Sequence, residues 1–111
     1  MSLASEELSD RIRGHLGLHP GITEQKMFGG RAFMLDGNML VGPMKDGSLL
    51  VRVGKEKYEE ALALPGARPM TMGAKTMSGF VEVTGDVLED DEVLLDWIEL
   101  ARSFVTTLPA K

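Results

Sequence analysis

The side chains with the greatest chemical reach in this chain are few: His15 and His19 four residues apart, the glycine pair Gly29-Gly30 behind Phe28, Arg52 between two valines, and Arg68 between Ala67 and Pro69. Two histidines at that spacing share a metal ion when both lie on one helix. Gly17 between them and Pro20 after them mark the end of a helix instead, so no metal site is expected. Met70 and Met72 have a spacing that soft metals use. With seven internal methionines from Met27 to Met77, core filling by flexible thioethers is the simpler account.

The glycine pair could let a backbone amide approach a ligand, but a tight strand bend is the favoured account. No lysine followed by serine or threonine completes a phosphate loop after it, and no Gly-x-Gly-x-x-Gly pattern is present. A nucleotide cradle is therefore not expected, nor any other cofactor. The absence of cysteine excludes disulfides, thiolate zinc sites and cysteine nucleophiles. No histidine or serine stands in a motif that would couple it to a base, so the chain is expected not to be an enzyme.

Binding is the remaining chemistry. Arg52 can grip an anion with both prongs or pair with a nearby carboxylate, and its strand context favours the structural pair. Arg68 lies in what reads as a loop stiffened by Pro69, where side chains are displayed to ligands. The candidate binding set is Phe28, Gly29, Gly30, Asn38, Arg52, Arg68 and Met70. A ligand pocket would lie between the Gly29-Gly30 corner, Arg52 and the segment from Arg68 to Met70.

Composition bounds the elements that must position these residues. The 111-residue length suits one domain over residues 1–111, and 43% hydrophobic with 26% charged residues is the balance of a globular protein. No apolar run approaches the roughly 20 residues that span a bilayer, and the acidic start is the reverse of a secretory signal. A cytoplasmic location is expected. The net charge of −5 is uneven: residues 1–23 carry −1, residues 24–80 carry +2, and residues 81–111 hold eight acids against Arg102 and Lys111, for −6. Such a balance disfavours direct nucleic-acid binding, which rests on lysine and arginine displacing counterions.

The hydrophobic pattern predicts an N-terminal helix capped by Ser5, with Leu8, Ile12 and Leu16 on one stripe. From Glu24 the period drops to two, and turn signals recur at Gly29-Gly30, Asp36-Gly37-Asn38, Asp46-Gly47 and Gly54. In the strand from Ser48 to Val53, Leu49, Val51 and Val53 share one face while Leu50 and Arg52 share the other. A helix over Lys55 to Leu64 follows, with Lys55 and Glu59 paired outside. Residues 67–78 read as an irregular loop, and Gly79 to Thr84 as one more strand. The last helix, capped by Asp90 or Asp91, presents Leu94, Trp97, Ile98, Ala101, Val105 and Leu108 as an apolar face. Its acidic outer side reads mainly as a solvated surface, with a docking face for a basic partner as the alternative.

Met27-Phe28-Gly29-Gly30-Arg31-Ala32-Phe33-Met34, then Gly37-Asn38-Met39, Val51-Arg52-Val53-Gly54 and Ala67-Arg68-Pro69-Met70 resemble the TfoX N-terminal domain family. The resemblance runs from about Glu7 to Pro109. It implies an α+β fold, an antiparallel meander sheet with N-terminal, middle and C-terminal helices, similar to secretion-chaperone-like folds. Members of that family are implicated in bacterial competence as positive regulators of DNA-uptake genes and carry a second, C-terminal domain, which this chain is expected to lack. The expectation is a cytoplasmic regulatory or protein-interaction module, a homodimer with a possible protein partner in transcriptional regulation. A small-ligand sensor is the alternative, and direct nucleic-acid binding comes third.

Overall fold

The computed structural model describes residues 3–17, 21–27, 30–44, 47–72 and 75–109. Helix α1 (Leu3–Leu16) buries Leu8, Ile12 and Leu16 along one stripe, as the four-residue spacing requires. It begins two residues before Ser5, so Ser5 sits inside the first turn and is not its cap, with Leu3 and Ala4 both strong helix formers. Gly17 ends it in the left-handed region, its amide donating to the Arg13 carbonyl at 2.9 Å.

Four strands follow as an antiparallel meander: β1 (Ile22–Met27), β2 (Gly30–Leu35), β3 (Asn38–Pro43) and β4 (Leu49–Arg52). Asp36 and Gly37, with φ of 51° and 84°, make the two-residue turn between the paired residues Leu35 and Asn38. That backbone twist suits a hairpin.

The meander does not continue beyond β4. The chain leaves through a short helix α2 (Tyr58–Leu62), runs along the far edge as β5 (Ala67–Met72), and returns as β6 (Lys75–Val83) between β4 and β5. The sheet order is β1-β2-β3-β4-β6-β5. Two expectations are corrected here. Residues 67–72 and 75–83 form a hairpin where an irregular loop ending at Ser78 was expected. Pro69 misleads in the sequence because it cannot donate to a ladder. It is tolerated on the edge strand β5, where the register also shifts between Pro69 and Thr71. Helix α2 spans five residues, and Lys55 lies in the turn before it, so Lys55 and Glu59 have no helical spacing.

A one-turn helix α3 (Gly85–Leu88) precedes α4 (Asp91–Val105). Asp90 caps α4, its carboxylate accepting from the Glu92 amide at 2.9 Å. Helices α1 and α4 pack on β2, β3 and β4, and α2 packs on β5 and β6. The core between them joins Phe33, Val41, Leu49, Val51, Val53, Val81 and Val83 from the strands to Ile12, Leu94, Trp97, Ile98 and Val105 from the helices. Trp97 and Ile98, at 3% and 0% exposure, each contribute about 2–3 kcal/mol through burial. No helix of the described residues is long and apolar enough to cross a membrane.

Candidate interaction surfaces

Strand alternation sends Leu50 and Arg52 to the face opposite Leu49, Val51 and Val53, as the sequence pattern requires. On that side a second cluster assembles from Ala32, Met39, Leu50 and Met70, with Met34, Met44 and Phe80 packed against it and partly open to solvent. Its members lie in β2, β3, β4, β5 and β6 or, for Met44, just past β3; none of them is helical. Thioethers thus fill the side of the sheet that α1, α2 and α4 leave uncovered.

Arg52 and Arg68 border this cluster in different ways. The Arg52 guanidinium lies between two rings, 5.5 Å from the centroid of Phe104 and 5.7 Å from that of Phe80. No carboxylate among the described residues pairs with it, which corrects the expected ion pair: the partners are ring faces, which attract a cation through their quadrupole. One ring comes from the end of α4, remote in sequence. Gly54 makes the approach possible, because at φ +83° a Cβ there would enter the Phe104 ring.

Arg68 lies on β5, not in a loop, directly opposite Glu82 of β6. Its Nε donates to Glu82 Oε1 at 2.6 Å, and the Ser48 hydroxyl donates to the other carboxylate oxygen at 3.3 Å. The expected ligand contact is therefore engaged by a cross-strand carboxylate.

Of the other described members of the candidate set, Asn38 and Gly30 do not converge on these arginines. Asn38, buried at 3% exposure, donates from Nδ2 to the Pro109 carbonyl at 3.0 Å and ties the end of the described chain to β3. Gly30 pairs with Met27 at the start of β2, two strands from Arg52. Phe28 and Gly29 lie outside the described residues, as does His19. His15 places Nε2 3.8 Å from an Asp91 oxygen. Of the five described members, Arg68 and Met70 lie on the helix-free side of the sheet, and Arg52 stands at its border, between Phe80 and the Phe104 ring of α4.

Beside Phe104 a cleft of about 560 Å³ opens between the turn after β4 and the end of α4. Lys55 and Lys57 stand exposed on one side. On the other, the hydroxyls of Ser103 and Thr107 donate to the Leu100 and Phe104 carbonyls, at 2.8 and 2.6 Å. Sequence reasoning missed this cleft because its wall comes from the last turn of α4, and nothing in the local pattern announces which strand end that turn meets.

The TfoX N-terminal domain family matches residues 15–105, from the end of α1 through the last residue of α4. The chain belongs to that family. The match covers all six strands, helices α2, α3 and α4, and the quoted motifs. No curated protein and no solved structure matches the chain.

Proposed function

We propose that this member of the TfoX N-terminal domain family is a non-catalytic regulatory module of the bacterial cytoplasm that works through protein contact, itself a homodimer. The observation that carries this reading is the helix-free side of the sheet, where Met34, Met44 and Phe80 stay partly open over the buried Ala32, Met39, Leu50 and Met70. Flexible thioethers adapt to a partner surface better than branched side chains do. Membership in a family of competence regulators supports a regulatory setting.

The test is native mass spectrometry and light scattering on the wild type and on a Met34→Lys, Met44→Lys variant. Both positions are partly exposed, so the variant should fold with an unchanged circular-dichroism spectrum. A wild-type dimer that becomes a monomer in the variant supports the reading. A wild-type monomer at tens of micromolar protein that captures no specific partner from its host sinks it.

A second reading, a small-ligand sensor, is favoured by the cleft beside Phe104, whose size falls within the range of small-molecule sites. A ligand held there raises the melting temperature, and Lys55→Glu with Lys57→Glu removes that rise. Direct nucleic-acid contact is the weakest of the three readings, given a net charge of −5.

A further inference from the structure

The turn between α2 and β5, helix α3 and one flank of α4 enclose a groove of about 440 Å³ on the helical side of the molecule, away from the methionine cluster. Trp97, Val93 and Leu100 of α4 line one wall, and Leu64 and Pro65 of the turn face them across Val87. Leu64 is a large apolar side chain left 46% exposed. Its position is built by the backbone: at Gly66, with φ +78°, a Cβ would come within 2.6 Å of Val87 Cγ2. Only glycine lets the turn close on α3 here. The Gly66 carbonyl accepts from the Thr84 amide at 3.0 Å and fixes that approach.

The rim has one sign of charge. Asp86, Asp90 and Asp96 border the groove, and among the described residues no basic side chain does. Asp90 is occupied by the Glu92 amide as the cap of α4. Asp86 and Asp96 have neither an ion pair nor a hydrogen-bonding side chain among the described residues, in contrast to Asp91, held by Arg11, and Glu82, held by Arg68. They stand in the segment 81–111, which carries −6. An apolar trough with an uncompensated acidic rim repels phosphate and carboxylate ligands and matches a cation carried beside an apolar group.

We propose that this groove docks a short segment of another protein, one or two large apolar side chains flanked by lysine or arginine. The apolar side chains enter between Leu64 and Trp97, and the cations reach Asp86 and Asp96. The inference rests on the protein-contact reading but uses a different surface, so the two fail separately.

The test is selection of random phage-displayed peptides on the intact protein, followed by titration with selected tryptophan-free peptides. Trp97 is the only tryptophan and lines the groove, so its emission reports occupancy directly. The expected peptides combine Leu, Ile or Phe with adjacent Lys or Arg and shift Trp97 emission. They bind about tenfold or more weakly to an Asp86→Lys, Asp96→Lys variant, and lose affinity with rising salt. Binding to the Met34→Lys, Met44→Lys variant stays unchanged, which separates this groove from the sheet face. Selected peptides without a basic bias, binding that survives charge reversal, or Trp97 emission that does not move would each overturn the proposal. So would a wild-type dimer broken by Asp86→Lys, Asp96→Lys, because the occupant would then be a second copy of this chain.

Discussion

Arg13 of α1 grips Glu24 of β1 with two parallel hydrogen bonds, Nε to Oε2 and Nη2 to Oε1, each 2.7 Å long. The pair fastens the first helix to the outer strand of the sheet, and Arg31 adds a second cation 3.3 Å from the same carboxylate. The hydrogen bonds from Arg13 hold the Glu24 carboxyl below its usual range, against a smaller opposing effect of burial. Arg11 lowers Asp91 in the same way.

Stability therefore depends on pH with a definite sign. A carboxyl whose folded value is lowered contributes stability that is fully present above its unfolded value and is lost as pH falls through the folded one. The melting temperature should hold above about pH 5 and drop as pH descends through about 4 and below. Glu24→Gln should flatten that drop while costing only about 1 kcal/mol or less at neutral pH, because the pair is open to solvent. Melting curves of the two proteins between pH 3 and 7 check this; parallel curves would remove Glu24 from the account.

Trp97→Ala should be among the most damaging single changes, about 3–5 kcal/mol in urea unfolding, because it removes a large, almost wholly buried side chain from the core between α4 and the sheet. The more exposed Leu95 on the same helix should cost less than about 1 kcal/mol when cut to alanine.

Arg52→Ala should cost about 1–2 kcal/mol through loss of its two ring contacts and of the packing of its alkyl stem. A double-mutant cycle with Phe104→Ala should return a coupling of about 0.5–1 kcal/mol. A coupling near zero would show that the ring and the guanidinium are neighbours without interaction.

Gly54→Ala should destabilise by about 2 kcal/mol or more, since the methyl meets both an unfavourable backbone region and the Phe104 ring. In a Phe104→Ala background the cost should shrink but not vanish, because the backbone part persists. Equal costs in the two backgrounds would place the whole effect in φ.

Asn38→Ala should remove about 1–2 kcal/mol and free the segment after α4, since it deletes a buried hydrogen bond to the Pro109 carbonyl. Faster amide exchange at residues 106–108, with α4 itself still protected, is the expected signature.

The α+β class, the first four strands, α1 and α4 were legible because each buries one face with the period its geometry demands. Leu8, Ile12 and Leu16 recur every four residues, and Leu49, Val51 and Val53 every two. The β5–β6 hairpin was not legible because Pro69 and the glycines around it carry the local signature of a loop, while edge position, a tertiary fact, makes a strand tolerable. Helix α3 escaped for its shortness. The sites were less legible than the fold. Arg52 and Arg68 stood out in the sequence as candidate binding residues, but their partners, Phe104 and Glu82, come from other elements, and spacing along the chain says nothing about which elements meet. The acid-rimmed groove was invisible for the same reason, since Leu64, Val87 and Trp97 become neighbours only after the turn at Gly66 closes.

The sheet order has a kinetic meaning. Strands β1 to β4 pair with immediate neighbours through short connections, so their hairpins need little loop closure and can form early. Strand β4 finds its other partner only after the chain has travelled out through α2 and back along β5, so that Arg52 pairs with Phe80. The seam between β4 and β6 should therefore close after the hairpins on either side of it, and until it does β4 keeps one bare edge. A bare edge on β4 is a template for pairing with a strand of another chain, so closing this seam also removes a site of mispairing.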